Sequence, residues 1–247
     1  MNPRLRISPL FAVGMIVFVS SFVLILFFMS PLFNISHVII EGNYRISDAQ
    51  VLRDIGLDGA TPTNVFLFNG RLAERRLLEN TYFESVSISK HHLRAELSIS
   101  LNERRLAGFV EFAPGQYLFI DENGLVLESS TFFTENLPII IGLEFSRFAL
   151  GQPLETSNTQ SFEHMVAISQ LLSRHGLQYN VFRIDVNDSQ NIRLFIDELD
   201  ISFGDLSHSD QKMQTIIEVL RHFEGEQIRG SLDVSDITRH AILRHLT

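Results

Sequence analysis

The chain has 247 residues, 45% of them hydrophobic, which is enough for one large domain or two small ones. Because it contains no cysteine, disulfides and thiolate metal sites are excluded, and its formal net charge of −9 argues against nucleic acid as a partner. The charge is unevenly spread. Arg4 and Arg6 precede a long apolar stretch, and the rest of the chain carries 18 basic against 29 acidic side chains.

The apolar stretch covers residues 10–29, and no charged side chain occurs between Arg6 and Glu41. Twenty helical residues span about 30 Å, the thickness of a bilayer's hydrocarbon core. A cleaved signal peptide is the alternative, but its apolar region has about 7–15 residues and ends at a small-residue site. The pattern therefore favours an uncleaved transmembrane helix over residues 10–30. The two arginines favour a cytoplasmic tail of residues 1–9, so a single-pass type II cell-membrane protein is predicted.

Residues 31–103 have the pattern of a small α+β domain. Apolar side chains over residues 33–40 predict a strand, which the Gly42-Asn43 pair closes with a tight turn. Ser47 is expected to cap a short helix, and a second helix follows it. Two more strands come next, and one face of the last is formed by Ala95, Leu97, Ile99 and Leu101. The order is β-α-α-β-β, with helices on one face of the sheet.

Residues 104–236 are rich in predicted strands and contain two predicted helices. The first helix covers residues 160–174 and is expected to end at Gly176. The second is amphipathic, with Met213, Ile216, Ile217, Leu220 and Phe223 at helical spacing. The last strand lies at residues 230–234, and residues 237–247 read as a basic tail. The predicted fold class is thus α+β: a transmembrane helix, a β-α-α-β-β domain, and a mixed strand-rich β domain with two helices.

The motif F-x-I-x-x-V-x-I-x-G-N-x-x-I-S in residues 33–47, with the apolar segment before it and the β-α-α-β-β order after it, resembles the POTRA domain of the bacterial division proteins FtsQ and DivIB. Glu103-Arg104 resembles the family's Glu-Arg pair, although Arg105-Leu106 stands where the family often has a proline. Residues 203–205 (Phe-Gly-Asp), followed by Lys212, are similar to DivIB in particular. The resemblance covers roughly residues 10–234.

The resemblance implies a divisome scaffold that binds the small bitopic proteins FtsL and FtsB or DivIC at the septum, chiefly through the second domain. The last strand is a candidate sheet border, where a partner strand can be added. We expect the strand near Leu232 and Val234 to form that border; the alternative is that both side chains face the core. The candidate partner-binding residues are Gly230, Ser231, Leu232, Asp233, Val234, Ser235 and Asp236.

Signatures of catalysis do not occur in the sequence. It contains no GxxxxGK[ST], GxGxxG, GxSxG or HExxH, and its nine histidines show no metal-ligand spacing. His91-His92 are expected in a turn between two strands. We predict no catalytic residue, no metal and no cofactor. Two alternatives stay open: a membrane-anchored cell-envelope hydrolase, and a POTRA protein of outer-membrane transport, against which the two helices of the second domain argue.

Overall fold

The computed structural model describes residues 9–132, 137–188, 190–223, 228–238 and 242–245. The chain divides into two compact units, Met1–Glu103 and Arg104–Thr247. Arg4 and Arg6 of the predicted cytoplasmic tail, and Arg239 and His240 of the predicted C-terminal tail, lie outside the described residues.

The first unit begins with a helix, α1 (Pro9–Phe28), of 20 residues. Large apolar side chains along it, such as Ile16 and Phe18, are exposed. A short 3₁₀ turn, Pro31–Phe33, follows and is capped by Ser30. In the part of the chain that the structure describes, no helix combines the length and the apolarity needed to cross a membrane.

The rest of the first unit is a three-stranded sheet with two helices. Its elements are β1 (His37–Glu41), α2 (Asp48–Asp54), α3 (Gly70–Leu78), β2 (Phe83–His91) and β3 (Glu96–Glu103). The strand order is β1-β3-β2, with β1 parallel and β2 antiparallel to the central β3. The predicted β-α-α-β-β order is confirmed. His92 lies in a 3₁₀ turn between β2 and β3 as expected, whereas His91 is the last residue of β2.

Local chemistry explains why these residues form these elements. Ser47 caps α2, because its hydroxyl oxygen accepts from the backbone N–H of Gln50. On β3, Leu97, Ile99 and Leu101 are buried at alternate positions against the two helices. Gly42 has φ +86°, and a Cβ placed there would lie 1.9 Å from the carbonyl oxygen of Leu101. Glycine is therefore required at this turn for two reasons, its backbone conformation and the close approach of β3.

The second unit contains one nine-stranded sheet and two helices. Its elements are β4 (Leu106–Ala113), β5 (Gln116–Asp121), β6 (Val126–Ser130), β7 (Ile139–Ile141), α4 (Thr159–His175), β8 (Arg183–Asp185), β9 (Ile192–Ile196), β10 (Glu198–Gly204), α5 (Ser209–His222), β11 (Arg229–Asp233) and β12 (Ile242–His245). The strand order is β12-β11-β10-β9-β8-β7-β4-β5-β6. The sheet is mixed, because β4 with β7, β7 with β8, and β10 with β11 are parallel pairs.

Both helices of the second unit bury an apolar stripe in the same core as the sheet. Met165 and Ile168 of α4 and Met213 of α5 are fully buried there, together with alternate strand residues such as Leu194 and Ile201. The helix α4 begins at the cap Asn158 and ends at Gly176, which has φ +71°. The predicted α+β class is confirmed. The structure does not confirm that residues 10–30 form a transmembrane helix, so that part of the fold class stays a prediction.

Glu103 is the last residue of the first unit and Arg104 is the first residue of the second. Each forms contacts within its own unit. The Glu103 carboxylate accepts from the backbone N–H groups of Arg45 at 2.9 Å and Ile46 at 3.0 Å, just after the Gly42 turn. Arg104 pairs through Nη1 with Oδ2 of Asp121 at 3.1 Å, and the Asp121 side chain is only 1% exposed. Each residue of the pair therefore stabilises its own unit.

Candidate partner-binding site

The candidate residues 230–236 lie in β11 and the turn that follows it. The strand is parallel to β10, and Arg229 forms an ion pair with Glu198 at 2.9 Å where the two strands begin. At the other end, the backbone N–H of Val234 donates to the carbonyl oxygen of Ser202 at 3.0 Å. The candidate segment is thus an ordered part of the sheet.

The side chains of this segment divide between two environments. Gly230, Leu232 and Val234 are buried, and Leu232 is only 1% exposed. The other four candidates, Ser231, Asp233, Ser235 and Asp236, are exposed. Of the two alternatives that the sequence left open, the core-facing one is correct for Leu232 and Val234. These two residues hold the strand in place, whereas the four polar residues lie at the surface.

Two consecutive Asx turns follow β11. Asp233 accepts from the backbone N–H of Ser235 at 3.0 Å, and Asp236 accepts from the backbone N–H of Thr238 at 2.9 Å. Next to them, Gly204 has φ +75°, and a Cβ there would lie 2.8 Å from Cβ of Ser235. Glycine at the end of β10 therefore allows this turn to pass close to the sheet.

The expectation that β11 forms the border of the sheet is wrong. β12 lies outside it and pairs with it in antiparallel register, with Ser231 opposite Arg244 and Leu232 opposite Leu243. Residues 242–245, which the sequence assigned to a basic tail, are therefore part of the sheet. Their only apolar pair is Ile242-Leu243, and a strand of four residues is too short to show a periodic pattern. Sequence reasoning missed this border strand.

A buried lysine fixes the loop between β10 and α5, beside this border. Lys212 is 1% exposed, and its Nζ donates to the backbone carbonyl and to Oδ1 of Asp205, both at 2.9 Å. It also lies 5.4 Å from the ring centroid of Phe203. The hydroxyl of Ser207, followed by Lys212, lowers the pKa of Asp205 to about 2, because both donate hydrogen bonds to its carboxylate.

Comparison with known proteins shows one matching domain and several similar division proteins. A family model described as "POTRA domain, FtsQ-type" matches residues 33–104. The chain is 26% identical over 235 residues to cell division protein DivIB of Clostridium botulinum, which covers 94% of this chain and 89% of that protein. It is 23% identical over 212 residues to DivIB of Clostridium tetani, covering 85% and 78%. With DivIB of Listeria monocytogenes it shares 23% over 218 residues, covering 88% and 76%. The chain thus contains an FtsQ-type POTRA domain and is similar to DivIB proteins over most of its length.

In the second unit, the sheet face opposite α4 and α5 carries a stack of cations and aromatic rings. The Arg183 guanidinium lies 3.7 Å from the ring centroid of Phe195 and 5.7 Å from that of Phe182. Arg193 is 5.3 Å from the same Phe195 ring and forms an ion pair with Asp200 on β10. Arginine and aromatic side chains are enriched in protein interfaces. The sequence places Arg193 and Phe195 on one strand face, but only the strand register brings Arg183 to them.

The part of the first unit that follows α1, which we call the POTRA unit, also contains an open cleft of 590 Å³. The cleft lies beside β2 and the start of α3. Two of its charged side chains are already engaged within the unit. Glu74 accepts from the backbone N–H of Ile88 at 2.8 Å, and Lys90 donates to the carbonyl oxygen of Phe68 at 3.1 Å. Among the described residues, no group of three or more His, Asp or Glu side chains is placed to hold a metal ion.

Proposed function

We propose that this protein is a cell-division scaffold that binds small bitopic proteins of the FtsL and FtsB/DivIC type at the septum. The role in cell division is supported by its FtsQ-type POTRA domain and by relatives that carry that name over most of the chain. The partners come from the family resemblance. The proposal assigns binding chiefly to residues 104–236 together with β12, and a role in recruitment to the POTRA unit.

The observation that carries the proposal is the strand β12 at the border of the nine-stranded sheet. Among the described residues, β11 pairs with its inner side and no strand pairs with its outer side. An extended segment of a partner adds to such an edge through main-chain hydrogen bonds, and its alternate side chains give specificity. Arg244, exposed on β12 itself, would lie beside such a segment.

Residues 10–30 serve in this proposal as the membrane anchor, with residues 1–9 in the cytoplasm and the chain from residue 31 onward outside it. The support is the uncharged run between Arg6 and Glu41 and the exposed apolar side chains along α1. The anchor confines the protein to the cell membrane, where bitopic partners diffuse in the same plane. Binding in a plane raises the effective concentration of two membrane proteins without any further contact.

The proposal makes this protein a binding protein and not an enzyme. The competing function is a membrane-anchored hydrolase of the cell envelope. A hydrolase requires a nucleophile or an acid–base pair placed for catalysis. Among the described residues, the buried ionisable side chains are Lys212 and Asp121, each engaged in an ion pair of the fold, and His164, whose Nδ1 has no hydrogen-bond partner. Loss of wall-degrading activity on substitution of a carboxylate, with partner binding intact, would favour the hydrolase.

The test is site-specific disulfide cross-linking. Because the chain has no native cysteine, every cross-link to it must form at the introduced cysteine. Arg244→Cys on β12 is exposed, and Leu150→Cys, which is 55% exposed in the same unit, is the matched control. Each variant is co-expressed with FtsL-type and FtsB/DivIC-type proteins of the same organism that carry single cysteines along their extracytoplasmic segments.

Strand addition predicts cross-links from Arg244→Cys to every second residue of one partner segment, and none from Leu150→Cys. Cross-links to consecutive residues would mean that the partner does not bind as a strand. No cross-link from either position, with no co-purification of the partners, would overturn the scaffold assignment. Leu232→Lys is unsuitable as a test, because Leu232 is buried and a charge there destabilises the sheet.

A further inference from the structure

The end of α1 is fastened to the POTRA unit by one side chain. Asn64 is buried, and its Nδ2 donates to the carbonyl oxygens of Phe28 at 3.0 Å and Ser30 at 3.4 Å. Its Oδ1 accepts from the backbone N–H of Phe66 at 2.9 Å. The last carbonyl groups of a helix have no partner within it. Asn64 supplies that partner, so the helix meets the unit at a fixed place.

An aromatic cluster surrounds this junction and joins three segments of the unit. Phe28 lies 5.8 Å from Phe33 and 5.0 Å from Phe66, ring centroid to ring centroid. Phe66 in turn lies 5.1 Å from Phe33 and 4.9 Å from the His92 ring. The turn at residues 31–33, the loop before α3 and the turn between β2 and β3 therefore all meet at the end of α1.

Each of these three segments exposes one leucine, next in sequence to a ring of the cluster. Leu32 is 76% exposed, Leu67 is 66% exposed and Leu93 is 95% exposed. We refer to these three residues as the leucine patch. Exposed apolar side chains gathered at one place mark a contact surface. Arg94 follows Leu93 directly and is exposed, so a cation accompanies the patch.

We propose that the leucine patch inserts into the interfacial layer of the bilayer that holds α1. This inference rests on the proposed membrane anchor. The occupant is lipid, because the patch continues the apolar surface of α1 across a junction that Asn64 and the aromatic cluster hold fixed. Arg94, which is exposed next to Leu93, can meet anionic headgroups. The base of the POTRA unit thereby rests on the membrane, and its orientation there is set.

The experiment places an environment-sensitive fluorophore on the full chain reconstituted in liposomes of phosphatidylglycerol and phosphatidylcholine. Leu67→Cys and Leu93→Cys carry the label in separate variants. Tyr44→Cys is the matched control, because Tyr44 is 94% exposed in the same unit but follows the far end of β1. The five residues of β1 span about 13 Å between the patch end of the strand and the turn that carries Tyr44. Quenching is measured with nitroxide lipid and with aqueous iodide, and flotation of the liposomes reports whether the protein is membrane-bound.

We expect nitroxide lipid to quench the labels at Leu67 and Leu93 and iodide to leave them bright, with the reverse at Tyr44. Adding Leu93→Gln to the Leu67→Cys variant should lower the ratio of docked to undocked protein by roughly tenfold, while leaving the fold intact because Leu93 is exposed. If the protein floats but iodide quenches all three labels equally, the inference is wrong and the anchor stands. If the protein does not float, the anchor and the inference both fail. Labels shielded from iodide and from nitroxide lipid would show that a protein covers the patch, which also overturns it.

Discussion

The ion pair between Arg104 and Asp121 should contribute more to stability than any exposed pair in the chain. The two oxygens of Asp121 have separate roles: Oδ2 pairs with Arg104, while Oδ1 accepts from the backbone N–H groups of Asn123 at 2.9 Å and Leu125 at 2.8 Å. The side chains of Arg104 and Asp121 are 20% and 1% exposed, so water does little to replace either partner. Removal of one partner of a buried pair costs about 3–5 kcal/mol.

Two substitutions of Asp121 separate these roles. Asp121→Asn keeps an oxygen for the two N–H groups and loses the charge, so the expected loss of unfolding free energy is about 3 kcal/mol. Asp121→Ala leaves both N–H groups unpaired as well, and each adds about 1 kcal/mol or more. A loss of about 5 kcal/mol approaches the whole stability of a small domain, which is about 5–15 kcal/mol. Asp121→Ala should therefore leave the second unit close to unfolding.

The assay is urea-induced unfolding of the full chain, with hydrogen exchange of peptides from residues 104–132 to report on the second unit. A double-mutant cycle of Asp121→Asn with Arg104→Met isolates the pair and should give a coupling of about 2 kcal/mol. Arg147 and Glu155 form the matched control, because they pair at 2.8 Å but are 81% and 67% exposed. Breaking that pair should cost less than about 1 kcal/mol. A coupling for the Arg104 pair no larger than for the Arg147 pair would refute the reasoning.

Two further predictions concern the Gly42 turn and the buried lysine. Gly42→Ala should destabilise the POTRA unit by at least about 2 kcal/mol, because Cβ would clash with the Leu101 carbonyl; Gly56→Ala, at φ +76° with nothing within 4 Å, should cost about 1–2 kcal/mol. Thermal unfolding of the two variants checks this, and equal losses would contradict it. Asp205→Asn should destabilise the chain most above pH 4, because the pKa of Asp205 is lowered to about 2 and its stabilising effect is lost as the pH falls toward 2. A stability difference from the parent that stays constant between pH 2 and pH 6 would show that the Lys212 pairing does not act through that carboxylate.

The elements that the sequence predicted well are those with a local physical cause. Ser47 is the cap of α2 because its hydroxyl reaches an N–H three residues on, and Gly176 ends α4 because glycine adopts a positive φ without strain. The alternation of Leu97, Ile99 and Leu101 identified β3 and its buried face. The POTRA motif could be read for the same reason, since it consists of a strand, a turn and a cap that are contiguous in the chain.

The candidate site was only half predictable. The segment 230–236 was correctly read as a strand and its turn, but its position in the sheet was not, because β12 follows after two Asx turns and has four residues. Whether a strand lies at a border depends on what pairs with it from elsewhere in the chain, and periodicity carries no information on that. The exposure of the leucine patch and the stacking of Arg183 on Phe195 likewise could not be predicted from the sequence.

The sequence by itself determined the class of this protein: an uncharged apolar segment, an acidic remainder, the POTRA order of elements and the resemblance to FtsQ and DivIB. Helix caps, turns and the alternation of apolar and polar side chains depend on only a few neighbouring residues, so they can be predicted from the sequence. The tertiary structure decided the order of the nine strands, the border at β12, the pairing of Arg104 with Asp121, and the junction of Asn64 with the end of α1. These features join residues far apart in the chain, and the packing of the whole unit selects which of them meet.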